Sequence, residues 1–349
     1  EASASFTPLA EVISGLFQPT LWDGNGSNQT ITNNINLSGK GGLVWIKTRD
    51  QGLVNGLFDT ERGIGSSFAY RLISDDTNAQ SELTDGLSAF NSNGFTLGNS
   101  TAVNGNTYEY VGWTFRKEPK FFDVVTYTGN GTAGRTISHN LGSVPGMIIV
   151  KRTDTSNYWA VWHRKLNGGT NSGQYFVRLD NTDAESTNSG YWNNTEPTAT
   201  HFTVGGSGTT NSGSGTYVAY LFAHNNSDGG FGPDSEDIIK CGSYTNGASG
   251  VEVNLGFEPQ WMMFKKTDGT GNWGIVDVMR GIKVVSSVGD NSNQLRANLT
   301  NAENAEYHPY PTPTGFKTDG SGGGGGAGTG DYIYMAIRRG PLAEPTSAT

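Results

Sequence analysis

Cysteine is nearly missing from this chain: Cys241 is the only one in 349 residues. A lone thiol makes no intrachain disulfide, which argues against a disulfide-stapled secreted scaffold and against a thiolate zinc centre. Charge is scarce too, at 16% of residues against roughly 25% in an average globular protein, and its balance is −9. An acidic chain without clustered Lys and Arg does not suit a phosphate backbone, so no nucleic-acid partner is expected. No apolar run reaches 18 residues, so no helical membrane insertion is expected. The five histidines, His139, His163, His201, His224 and His308, stand without ligand spacing. There is no D-x-D-x-D-G calcium loop and no G-x-S-x-G elbow, and a glycosidase's carboxylate pair cannot be picked out of polar loops. The expectation is therefore no metal, no cofactor and no catalytic residues. Glu1 is not an initiator Met and no signal-peptide pattern follows it, which reads as a start that is processed, trimmed or merely the first ordered residue and, with the single cysteine, as assembly in a reducing cytoplasm.

What the chain does have is glycine, 51 of them, with 34% hydrophobic and 11% aromatic residues. Turn formers in that quantity fit short strands joined by many turns, and the apolar content suffices for packed cores. It also has a repeated phrase. GGLVWIKTRD, from Gly41 to Asp50, returns as GMIIVKRTD from Gly146 and as QWMMFKKTD from Gln260. The anchors are Lys47, Lys151 and Lys265, and a Leu stands ten residues before each, at Leu37, Leu141 and Leu255. Upstream, WDGNGS, YTGNGT and YTNGA each read as an Asn-Gly turn beside an aromatic strand residue. Downstream, TNAQ at Thr77 returns as TDAE at Thr182 and TNAE at Thr300, and YEYVGWTF, TYVAYLF and DYIYMAI close the copies. Three copies of a unit of about 105 residues account for the chain after Phe17.

The apolar runs Leu43 to Ile46, Met147 to Val150 and Trp261 to Phe264 suit central strands covered on both faces. Helical periodicity is confined to a short stretch around Leu9 to Leu16. The predicted fold is all-β: three tandem β-sandwich domains of jelly-roll or lectin-like type. Prolines after each closing strand, Pro119, Pro233 and Pro341, mark the exits. That divides the chain into a lead-in at 1–16, repeats at 17–118, 119–228 and 229–341, and a tail at 342–349. The polar linker from Asn225 to Asp237 reads as the most flexible part, where limited proteolysis should cut first.

The series GLVWIKTRD, LFDTERG, DTNAQS, FNSNGFTLG and YEYVGWTFRK, followed by YTGNG, SHNLGSVPGMIIVK and YWAVWH, resembles a repeated domain of virion proteins in tailed bacteriophages, especially marine and cyanobacterial phages. The pattern covers nearly the whole chain and fits the first copy best. The second copy departs at FDTERG, reading VWHRKLNGG, and the third lacks FNSNGFTLG. The resemblance implies a lectin-like β-sandwich in a non-enzymatic virion protein, tail fibre or adhesin in kind. On that expectation it sits on the tail or capsid surface, in many copies or as a homo-oligomer, with other virion proteins and host cell-surface glycan as partners. A capsid or tail decoration protein of purely structural role is the alternative, and a polysaccharide depolymerase the third.

Two sets of residues are singled out. Asp59 with Arg62, and Asp277 with Arg280, share a D-x-x-R-G spacing that reads as a charge-assisted pair inside a turn, with His163 replacing Asp59 in the second copy. The loops after TNAQ, TDAE and TNAE vary: the second carries Tyr191 and Trp192, the third Tyr307, His308 and Tyr310, whereas the first offers only Phe90. Amphipathic rings among Asn, Pro and Glu are expected to form a platform for carbohydrate or a partner loop. The glycine run from Gly320 to Gly330 lacks the strand–loop–helix context of a phosphate cradle and reads as an exposed edge loop.

Overall fold

The computed structural model describes residues 9–282, 292–306, 308–318, 320 and 328–340. It is all-β, made of antiparallel sheets with only short helices between them. The phrase repeated in sequence forms the strands Gly42–Thr48, Pro145–Arg152 and Pro259–Lys266, each in the interior of a six-stranded sheet. In repeat 1 the order runs Phe17–Asp23, Glu109–Arg116, Gly42–Thr48, Gly56–Asp59, Tyr70–Ile73, Ser81–Glu82. The closing aromatic strand thus inserts between the opening strand and the Lys-bearing one. Repeats 2 and 3 reproduce this order, opening with Phe122–Thr128 and Ile239–Asn246 and closing with Thr216–Ala223 and Gly330–Arg338. Register is preserved as well, since Lys47, Lys151 and Lys265 face Val111, Val218 and Ile333.

Alternation of side chains across a strand explains why these runs are apolar throughout. In repeat 1, Val44, Ile46 and Phe58 point outward and pack on Ile31, Phe95 and Leu97 of a small sheet, Gln29–Thr32, Gly94–Leu97 and Leu87–Asn91. This is the sandwich. Leu43, Trp45, Trp113 and Phe115 lie on the opposite face, and there they join a core shared with repeats 2 and 3, including Ile149, Tyr220, Trp261 and Met335. Both faces are dry, so each large side chain contributes about 1.5–3 kcal/mol of burial. The leucines at the preceding anchor position, Leu37, Leu141 and Leu255, are all buried. The Asn-Gly turns of repeats 1 and 2 are alike in detail: Asn25 and Asn130 accept from Ser27 and Thr132 N–H, while Gly26 and Gly131 hold φ of +64° and +73°; in repeat 3 Asn246 is instead the last residue of the strand Ile239–Asn246. A side chain with a Cβ is disfavoured at Gly26 and Gly131.

The repeats are therefore not three separate cores on a string. The linker expected to be loose is packed: Phe231 is 8% exposed and belongs to the shared core. Asn225 accepts from the N–H groups of Ile238 and Ile239, and the Asp237 carboxylate accepts from Ser227 and Gly229. Its polar residues satisfy its own backbone, which composition alone does not reveal. The lead-in helix Leu9–Ser14 buries Ile13 in the same core, and Gly340 lies close against Ile13, so the start of repeat 1 and the end of repeat 3 adjoin.

Candidate functional site at the seams between repeats

Each anchor lysine faces inward, fully buried, and donates to the neighbouring repeat. Lys151 Nζ reaches Thr77 O at 3.0 Å, Lys265 Nζ reaches Thr182 O at 3.2 Å, and Lys47 Nζ reaches Thr300 O at 2.7 Å. These acceptors are the first residues of TNAQ, TDAE and TNAE. The last residues of the same strings donate backbone N–H back: Gln80 to Thr153 O at 3.0 Å, Glu185 to Thr267 O at 2.9 Å, Glu303 to Arg49 O at 2.6 Å. Further in, Trp159 Nε1 donates to Ile73 O and Trp273 Nε1 to Arg178 O, while Asn55 Nδ2 takes the equivalent place and donates to Arg296 O. The contacts run from repeat 2 to 1, from 3 to 2 and from 1 to 3, so the chain closes into a three-membered ring. Burial pushes all three ammonium groups down to about 8, against the weaker pull of nearby carboxylates.

The D-x-x-R-G pairs lie in the same seams. Arg62 Nε donates to Asp59 Oδ2 at 2.5 Å and Arg280 Nε to Asp277 Oδ2 at 2.6 Å, each within a turn closed by the Arg backbone N–H. Across the seam, Asp59 accepts from Tyr220 OH at 2.8 Å and Asp277 from Trp113 Nε1 at 2.9 Å. The residue at that place in repeat 3 is Met335, which offers no such donor. Facing repeat 3, the second copy carries His163, whose Nε2 lies 3.1 Å from Tyr334 O. A carboxylate there would be buried with no donor, so the departure of the second copy follows from its neighbour. Burial pushes the His163 imidazole down to about 3.

On the outside, two seams open into grooves at equivalent positions. Between repeats 1 and 2 a space of about 480 Å³ is bordered by Arg62, Gln80, Thr126, Tyr127, Thr153 and Tyr217. Between repeats 2 and 3 a space of about 420 Å³ is bordered by Lys165, Glu185, Tyr244, Thr267, Asp268 and Asp331. Glu185 accepts Asn167 N–H at 2.8 Å, and burial, with Asp331 and Asp268 nearby, pushes its carboxyl up. At the seam of repeats 3 and 1 the same positions carry ion pairs: Arg49 with Glu109 at 3.1 Å and Glu303 at 2.8 Å, and Arg280 with Glu303 at 3.5 Å.

The aromatic platform is a correction. Tyr191 and Trp192 are 3% and 2% exposed. They form a capped turn of helix, Ser189–Trp192, that drops both rings into the core. Tyr191 stacks on Phe176 with centroids 4.1 Å apart. Repeat 1 has Arg71 where repeat 2 has Phe176, so it needs no ring to cover it, and the lack of an equivalent aromatic there did not imply exposure. His308 is likewise buried, Tyr310 is half-buried at the start of Tyr310–Thr312, and Tyr307 lies outside the described residues. Most of the Gly320 to Gly330 run also lies outside them. The groove positions were missed, although the ending of TNAQ, TDAE and TNAE in Gln, Glu and Glu was a signal: one position, recurring, with its charge changed.

Among the described residues no cluster of His, Cys, Asp and Glu is placed to hold a metal ion, and no helix is long and apolar enough to cross a membrane. The chain belongs to the family described as a domain of unknown function (DUF7483), whose model matches residues 13–341. That span takes in all three repeats. No curated protein matches the chain.

Proposed function

Starting from that membership, we propose that this ring is a non-enzymatic virion surface protein, a tail-fibre or adhesin module that attaches to host glycan or to neighbouring virion proteins. The observation that carries the reading is the pair of equivalent polar grooves on successive seams of one body. Two like sites held at a fixed separation turn a weak contact into a multivalent one, and many copies per particle multiply it again. Polar, hydroxyl-lined grooves suit a ligand that brings its own hydrogen-bonding groups. A purely structural decoration role fits less well, because the large hydrophobic residues exposed among those described are single ones, Ile64, Val144 and Tyr158, and a clamp needs a contiguous apolar face. Gold-labelled antibody raised against the chain is expected to decorate intact particles, and the purified chain to compete with their adsorption to cells. Unlabelled particles would defeat the proposal.

A second reading, polysaccharide cleavage, has one observation in its favour: Glu185, Asp268 and Asp331 border one groove, and Glu185 is held toward its protonated form. The sister groove has Gln80 and Thr216 where this one has Glu185 and Asp331, so the property common to both is binding. Release of reducing ends from host polysaccharide, abolished by Glu185→Gln, would establish the cleavage reading instead.

A further inference from the structure

The groove between repeats 1 and 2 has hydrogen-bonding capacity that its own residues leave unused. The Arg62 side chain is 3% exposed, and three of its contacts are internal: Nε to Asp59, and Nη2 to Leu57 O and Tyr220 OH. Among the described residues its Nη1 meets no hydrogen-bond partner, nor does the buried Gln80 Oε1. Both residues border the same groove. A buried guanidinium N–H and a buried amide oxygen left open each destabilise the folded chain, and a ligand that completes them relieves that cost. The equivalent seam shows what completion looks like from within. There Arg280 Nη1 donates to Asn293 O and to Glu303, and Glu303 is the counterpart of Gln80. With Gln in that place the pair is not made.

We propose that the groove at the seam of repeats 1 and 2 binds a neutral saccharide, Arg62 Nη1 donating to one hydroxyl oxygen and Gln80 Oε1 accepting from another hydroxyl. The chemistry selects that class. One open donor and one open acceptor match the hydroxyls of a sugar, each of which both donates and accepts. Asp59 already neutralises the guanidinium at 2.5 Å, and the chain carries −9 overall, so an anionic ligand gains one hydrogen bond while meeting a carboxylate and an unfavourable field. Thr126 and Thr128 add exposed hydroxyls at the mouth. The Tyr127 ring lies between Tyr217, stacked at 5.0 Å, and Arg135, 5.8 Å from its centroid. Its faces are taken, and recognition falls to hydrogen bonds.

This inference gives the attachment reading a ligand class and a site, and its test uses the purified chain alone. Saturation-transfer NMR with methyl glycosides of glucose, galactose and N-acetylglucosamine, and with glucuronic acid as anionic probe, is expected to show transfer to at least one neutral sugar and weaker transfer to the acid. Gln80→Glu should weaken binding at least tenfold, because the new carboxylate can take Arg62 Nη1 for itself, and Gln80→Leu should do the same by removing the acceptor. Arg62 is buried and its replacement risks the fold, so Gln80, whose seam contact is made by its backbone, carries the test. No transfer from any neutral sugar, equal binding by either Gln80 variant at unchanged melting temperature, or preference for the acid would overturn the inference. Such a result would leave attachment through other surfaces standing. Particles lacking the protein would do the reverse.

Discussion

The seam between repeats 1 and 2 and the seam between repeats 3 and 1 place the same backbone in the same way and end in opposite electrostatic states. In both, an Asp and an Arg three residues on are locked in a buried turn, and the Asp accepts from an aromatic donor across the seam. At the second of these seams Glu303 and Arg49 complete the network, so Asp277, Arg280, Glu303 and Arg49 are all in ion pairs. At the first, Gln80 and Thr153 hold those positions, and Arg62 and Gln80 are left with open groups beside a groove. Exchanges such as these in a common frame thus separate a structural joint from a candidate binding site. The frame itself, lysine to carbonyl and strand to strand, is untouched.

Removing the shared carboxylate is the strongest way to break this comparison. Asp59→Ala leaves Arg62 buried with only a carbonyl and a phenol, and is expected to cost about 3–5 kcal/mol in denaturant unfolding. Asp277→Ala should cost clearly less, since Arg280 keeps Glu303; equal losses would show that the closed network adds nothing. The remaining seam supplies a pH contrast. Above pH 6.5 His163 is neutral folded and unfolded, but between about 3 and 6.5 the unfolded chain takes up a proton that the folded one refuses. Stability therefore falls as pH drops through that window, by about 2–3 kcal/mol at pH 4.5 for this group. A His163→Gln chain should lose less stability than the parent between pH 7 and 4.5, and parallel curves would remove His163 from the acid response.

Glu303→Gln converts the closed seam toward the open one. It should cost about 1–2 kcal/mol, because Arg49 and Arg280 lose a partly buried partner, and it should flatten the salt dependence of the melting temperature. The reverse exchange, Gln80→Glu, is the smallest effect, a gain within about 1 kcal/mol for a new ion pair at a groove edge. A loss of stability there would mean that the two seams differ in backbone as well as in side chains.

Much of this architecture was legible in the repeat alignment. The apolar runs are interior strands, the Asn-Gly pairs of repeats 1 and 2 are turns with glycine at positive φ, and the D-x-x-R pairs close turns, each because the chemistry is settled within a few residues. The return of TNAQ as TDAE and TNAE was visible, but its use was not, since the groups it meets lie in another repeat. The aromatic loop misled for the same reason: whether Tyr191 is a platform or a plug depends on Phe176, fifteen residues away in sequence and 4.1 Å away in space.

The sequence by itself determined that three like units would form and what each strand would bury, because hydrophobic alternation and turn chemistry act over neighbouring residues. Only the tertiary structure decided that the units close on one another. Lys47 finds Thr300 across 253 residues, and the inner face of each sheet, apolar like the outer one, carries no local mark to say that its cover is the other two repeats and not a sheet of its own. That closure also decided where function is sought. Arg62 belongs to a complete turn within its repeat, and it borders a groove only because repeat 2 is folded against it.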